Sequence, residues 1–140
     1  MKSFVERIML DTESPIALVD VTDRVRGICT KSGITNGLLT VTTLHTTTAV
    51  RINERCERLQ EDMQAWLERL VPKAQYRHDA QTVDGRPNGR AHLMALLGNT
   101  SECIPIVEGE LTLGGWQSLF FLELDGPRTS RTVVVQVLGE

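Results

Sequence analysis

The chain has 140 residues, 41% of them hydrophobic, enough to bury an ordinary core, and residues 1–140 read as one domain. Its formal net charge is −3 with both signs interspersed, so it lacks the basic stripe that phosphate-backbone binding requires, which argues against nucleic acid as a partner. No stretch approaches the ~18 apolar residues of a membrane span, and the charged start Met1–Arg7 lacks a signal peptide's apolar run, so no membrane partner and a mature chain starting near Met1 are expected. Cys29, Cys56 and Cys103 are odd in number and widely spaced, which suits a reducing cytoplasm better than a disulfide framework or a thiolate zinc site.

In chain order, Phe4–Leu10 and Ile16–Val19 suit short strands, followed by a helix that Asp20 or Thr22 caps and that runs to about Ser32, ended by Gly33. After the Asn36-Gly37 turn signal, Leu38–Leu44 and Ala49–Ile52 are predicted strands, which puts His45 at a strand end or in the link between them. Cys56, Leu59, Met63, Trp66, Leu67 and Leu70 recur at helical spacing and predict an amphipathic helix that Pro72 ends. Residues 73–90 are polar, contain Gly and Pro, show no periodicity and read as a long loop.

A short helix is expected over Ala91–Leu97, stopped by Gly98-Asn99. Ile104–Val107 and Leu111–Leu113 then form a hairpin around Glu108-Gly109-Glu110. Ser118–Leu124 and Thr132–Leu138 are two further strands joined by the turn residues Asp125-Gly126-Pro127-Arg128. Strands in runs, interrupted by two or three helices, define an α+β class: a mostly antiparallel sheet or sandwich packed with helices.

The three histidines of the sequence, His45, His78 and His92, all avoid the middle of an apolar run, where a core histidine would sit. Three neutral imidazoles plus water form a known open coordination pattern for a divalent metal, yet their spacing matches no local metal motif, so a shared site and three unrelated surface histidines both remain open. Thr46, Thr47 and Thr48 follow His45 and offer hydroxyls for phosphate oxygens, although threonine also simply favours strands. Glu54 could act as a base or ligand near the same strand end, or it and Asn53 could serve the start of the helix. Asp79 is placed to support a neighbouring imidazole, Asp84 and Asn88 to give oxygen ligands, and Arg128 and Arg131 to offer forks matched to phosphate. Trp116-Gln117 could wall a pocket or pack in a core or an interface.

Taken in order, His45-Thr46-Thr47-Thr48 with Ile52-Asn53-Glu54, Tyr76-Arg77-His78-Asp79, Asn88-Gly89-Arg90-Ala91-His92-Leu93, Leu97-Gly98 and Gly109–Gln117 resemble the YjbQ family along nearly the whole chain. The ending Asp125-Gly126-Pro127-Arg128 with Val133–Val137 resembles it too. Two departures stand out: Val83–Pro87 makes the loop a residue or two longer, and Arg90 replaces a histidine found in many relatives. So close to His92, an arginine could repel a cation or strengthen the binding of an anion.

The resemblance implies a YjbQ-like α+β fold assembled as a homotrimer, with the family's histidines mapping onto His45, His78 and His92. It also implies a thiamine-phosphate synthase side activity that joins hydroxymethylpyrimidine diphosphate to thiazole phosphate. On that reading His45, Glu54, His78, His92 and Arg128 are catalytic. The histidines hold a divalent metal, zinc or magnesium, while Thr46, Thr47, Asn88 and Arg128 bind a small phosphorylated substrate. The alternatives are a metal-dependent phosphate-ester hydrolase and a non-catalytic trimeric protein that binds a metal or an anion.

Overall fold

The computed structural model describes residues 1–140. The elements run β1 (Lys2–Thr12), β2 (Ala17–Asp20), α1 (Thr22–Ser32), β3 (Gly37–Thr43), β4 (Thr48–Glu54), α2 (Glu57–Leu70), α3 (Gly89–Ala95), β5 (Ser101–Val107), β6 (Glu110–Leu111), β7 (Gln117–Glu123) and β8 (Arg128–Gly139). They form a five-stranded sheet in the order β1-β8-β3-β5-β6 and a three-stranded sheet β2-β7-β4. Every strand pair is antiparallel.

The alternation of apolar residues on each strand decides how these layers meet. Leu39, Val41, Ile104, Ile106, Val133, Val135 and Val137 from the larger sheet share one core with Val50, Leu119 and Phe121 from the smaller one. Val25, Ile28 and Cys29 of α1 complete it. The smaller sheet is apolar on its other face too: Leu122 packs in a second cluster with Leu67 of α2 and Ala91 and Met94 of α3. Gly98 is needed beneath that layer, because a Cβ there would stand 2.4 Å from the Cβ of Ala49.

Local chemistry explains most boundaries. Asp20 supplies the acceptor at the start of α1: its Oδ1 takes the Thr22 N–H at 2.9 Å and the Thr22 hydroxyl at 2.6 Å. Gly33, at φ 66°, ends that helix in the left-handed conformation that glycine adopts freely. The hairpin between β5 and β6 has a two-residue loop, Glu108-Gly109, with both φ values positive. Two positive φ values are the signature of a turn that matches strand twist.

Four features differ from what the sequence predicts or go beyond it. Strands β1 and β8 are longer than the propensity runs, because they pair with each other from Lys2↔Gly139 to Thr12↔Arg128, with a bulge after Leu10. The turn Asp125–Arg128 joins the two strands as predicted, but β7 lies in the small sheet and β8 in the large one, so it carries the chain across the core. Of the apolar stripe on α2 only Leu67 is buried, and Trp66 is 50% exposed. The 73–90 loop contains a single 3₁₀ turn at Arg77–Ala80, and α3 starts at Gly89 rather than Ala91.

Asp79 accounts for that last difference. Its Oδ2 accepts the Tyr76 N–H at 3.2 Å, and its Oδ1 accepts the Gly89 N–H at 2.9 Å, so one carboxylate ties the 3₁₀ turn to the first turn of α3. Gly89 is squeezed by this tie, since a Cβ there would come within 3.0 Å of Asp79 Oδ1 and Tyr76 Cβ.

Candidate functional site

His45 follows β3, His78 lies in the 3₁₀ turn and His92 on α3, and the fold brings all three to the wall of one polar pocket of about 470 Å³. Thr46, Thr47, Asp84, Asn88, Arg128 and Arg131 share that wall, and Leu44 and Val83 are its only apolar members. Nine sequence candidates therefore converge, while Glu54 does not. It ends β4, six residues from Thr48, which is about 20 Å along an extended strand.

The three imidazoles are not equivalent. His78 and His92 meet edge to face, with ring centroids 4.8 Å apart. His45 is held by a different partner, its Nε2 accepting the Thr132 backbone N–H at 2.8 Å. Nε2 must then be unprotonated, so the neutral ring carries its proton on Nδ1. Burial, followed by the charges of Arg131 and Arg128, lowers the His45 pKa below its ordinary value against an opposing pull from Glu123. Both arguments favour a neutral ring whose free nitrogen is a donor.

A second chain of hydrogen bonds sets His78. The carboxylate of Asp125 pairs with Arg128 at 2.6 Å and can only accept, so the atom that Asn88 turns toward it at 2.8 Å is its NH₂. The amide oxygen of Asn88 then faces His78 Nε2 at 2.9 Å, which requires that nitrogen to be the donor. His78 keeps only Nδ1 as a lone pair. Asp79, expected to support an imidazole, is instead engaged with the backbone of Tyr76 and Gly89.

These assignments bear on a resident metal. A His₃ site needs a lone pair from each ring on one point, yet the accepting nitrogen of His45 is held by Thr132. No three His, Cys, Asp or Glu side chains are grouped so as to hold an ion. As the chain stands, the three histidines do not fit a three-imidazole metal centre.

Beneath the pocket lies a buried ion pair that reasoning from the sequence missed. Glu123 is 0% exposed and Arg131 3%. Arg131 forks onto both carboxylate oxygens of Glu123, at 2.6 and 2.8 Å, and donates to Thr47 Oγ1 at 2.9 Å. Burial opposes ionisation of Glu123, but hydrogen bonds from Arg131, the Asp125 N–H and Thr12, with the charge of Arg131, outweigh it and hold the pKa below the usual value. Glu123 interrupts the apolar run Leu119–Leu124. A lone charge in such a run needs a buried partner, and that was the available signal.

Thr48 is structural, its hydroxyl 2.6 Å from that of Thr43 and both residues buried. Arg90 donates to the Val71 carbonyl at 2.7 Å and the Glu68 carbonyl at 3.2 Å. These belong to the unpaired carbonyls that end α2, where a cation is favoured. Arg90 is not among the residues on the wall of the histidine pocket. Trp116 is 80% exposed. Beside it Gln117 closes the turn, taking the Gly114 N–H on its side chain.

The molecule is thus an α+β protein of antiparallel sheets and three helices, with a pocket of histidine, arginine, threonine and asparagine side chains at the junction of β3, α3 and β8. The sequence profile of the family described as UPF0047 protein YjbQ-like matches residues 6–140, and the chain belongs to that family. It is 41% identical to a UPF0047 protein of Methanothermobacter thermautotrophicus, over 100% of this chain and 95% of that one. A UPF0047 protein of Archaeoglobus fulgidus is 43% identical, over 91% and 96% of the two chains.

Among solved structures, a YbjQ-like protein of unknown function from Sulfolobus solfataricus superposes with a TM-score of 0.93 at 36% identity, covering 99% of each chain. A hypothetical protein from Aeropyrum pernix does so with a TM-score of 0.86 at 38% identity, covering 100% of each. These relatives carry no stated activity. No helix is long and apolar enough to cross a membrane.

Proposed function

We propose that this pocket binds a small phosphorylated substrate and that the chain transfers a group from a diphosphate, as in the thiamine-phosphate synthase side activity that the family resemblance implies. The observation that carries the reading is the convergence of three imidazoles, Arg128, Arg131 and the Thr46 and Thr47 hydroxyls on one pocket. Such a set offers several donors to one anion.

The reaction suits that chemistry. In joining hydroxymethylpyrimidine diphosphate to thiazole phosphate, the methylene C–O bond to the diphosphate breaks and the thiazole nitrogen forms the new C–N bond with its lone pair. The nucleophile loses no proton in that step, so catalysis lies in stabilising the departing diphosphate and aligning the partners. Arg128 meets the developing charge and His45 donates from Nδ1, with His78 and His92 on the pocket wall beside them. Thr46 donates from the rim, and Asn88 orients His78. Glu54 enters this scheme only if another chain brings it to the pocket.

The divalent cation fits best as magnesium that arrives with the diphosphate, with Asp84 the carboxylate on the pocket wall nearest in kind to its preferences. A homotrimer is the proposed assembly, supported by large apolar side chains left exposed on one chain, Trp116 among them. A reducing cytoplasm is the proposed location, supported by three free cysteines.

Supplying both precursors with magnesium and assaying thiamine phosphate by chromatography tests the reading. Product formation by the wild type, lost in Arg128→Ala and His92→Ala, supports it. Tight binding of inorganic diphosphate with no product at any cation concentration would favour a non-catalytic anion-binding protein.

A further inference from the structure

A second cavity, of about 250 Å³, lies on the other face of the small sheet from the main core, between that sheet, α2 and the end of α3. Its floor includes Phe120 and Leu122 of β7, and its walls include Met63 and Trp66 of α2 and Met94 of α3. Arg51 and Asn53 of β4 are its only charged or amide side chains, and no carboxylate lines it. It shares no lining residue with the histidine pocket.

Four features set it apart from a packing defect. An apolar void of ~150 Å³ already admits benzene, so this one has room for a ring with a short arm. Arg51, on the cavity wall, appears in none of the chain's ion pairs or side-chain hydrogen bonds. Asn53 commits its Oδ1 to the Glu54 N–H at 2.8 Å, which leaves its NH₂ as a donor beside that guanidinium. Trp66, like Leu70 of the same α2 stripe, is left half-exposed by the chain, and of the two only Trp66 lines the cavity.

We propose that this cavity is a binding site for a small amphipathic carboxylate: a phenyl-sized ring or short alkyl chain among Met63, Trp66, Met94, Phe120 and Leu122, its carboxylate on Arg51 and Asn53. An apolar enclosure with a few convergent polar groups is the general form of a small-ligand site. The methionines suit it, because their unbranched thioethers adapt to different apolar shapes. A guanidinium fork next to an amide donor matches the planar carboxylate group. This site is independent of the one proposed for phosphorylated substrates.

Trp66 reports on it directly. The chain has two tryptophans, so Trp116→Phe leaves Trp66 as the sole emitter. In that background, 3-phenylpropanoate and octanoate are titrated beside their neutral amides, with Trp66 emission and calorimetry as readouts. The expected result is saturable binding of at least one carboxylate, about tenfold or more weaker for its amide and for Arg51→Met. Arg51 is exposed, so its replacement leaves the core intact, and the amide comparison needs no second variant. No saturable response to either carboxylate, or equal affinity for acid and amide, overturns the proposal. So does a Trp66 emission that changes with protein concentration in step with sedimentation, because a second copy then covers the cavity.

Discussion

The amide oxygen of Asn88 lies 2.9 Å from His78 Nε2 while its NH₂ lies 2.8 Å from the Asp125 carboxylate, so one asparagine fixes the proton on an imidazole 10 residues away. Asp125 is in turn paired with Arg128, which ties the orientation of His78 to the turn that crosses between the sheets. Asn88→Ala is expected to release His78 into a mixture of tautomers and to lower product formation about tenfold, the order of one charge-assisted hydrogen bond. Nitrogen-15 NMR of the histidine rings reads the tautomer independently of activity. An unchanged Nε2–H signal in the variant would show that Asn88 does not set it.

The buried Arg131–Glu123 pair makes a stronger demand on stability. Arg131→Met strands a carboxylate that is 0% exposed and should cost about 3–5 kcal/mol in urea unfolding. Pairing it with Glu123→Leu removes the stranded charge as well, and the double variant should recover most of that loss. Equal destabilisation of single and double variants would mean that Thr12, Thr47 and the Asp125 N–H, rather than the pair itself, depend on these groups.

The two shifted groups of this site also fix the direction of its pH dependence. His45 has a folded-state pKa below its unfolded value, first through burial and then through Arg131 and Arg128. Protons therefore bind the unfolded chain more readily, and the stability His45 contributes is full above about pH 6.5 and lost as the pH falls through its lower folded value. Glu123 is also lowered, its hydrogen bonds and Arg131 outweighing burial. Its contribution is full above about pH 4.3 and lost as the pH falls through its own depressed value. Urea midpoints measured from pH 8 to pH 3 should show two successive declines. His45→Asn should remove the upper one and keep the lower.

Arg90 offers a test of where a charge near a candidate site actually acts. Its guanidinium ends α2 by donating to the Val71 and Glu68 carbonyls, so Arg90→Ala should lower stability by about 1 kcal/mol. Diphosphate binding in the histidine pocket should stay within twofold of wild type. A large loss of that affinity would return Arg90 to the site.

Much of this fold was legible because short-range chemistry decides it. β-Branched runs at Leu38–Leu44 and Thr132–Leu138, the Asp20 and Gly33 ends of α1 and the Glu108-Gly109 turn all act within a few residues. The histidine pocket was legible only as a list of candidates, from ligand chemistry and ordered motifs. Glu54 fits those motifs as well as His45 does, and nothing short-range in the sequence shows that β4 carries it away from Thr48.

What the sequence determined by itself is therefore the α+β class, the identity of the polar groups and the family to which the chain belongs. Tertiary structure alone decided which nitrogens are free to act. Proton positions on His45 and His78 depend on Thr132 and on Asn88 with Asp125, partners 87, 10 and 47 residues from the rings they govern. A tautomer is set by the hydrogen-bond partner of one ring nitrogen, and that partner exists only once β8, the 3₁₀ turn and the start of α3 have met.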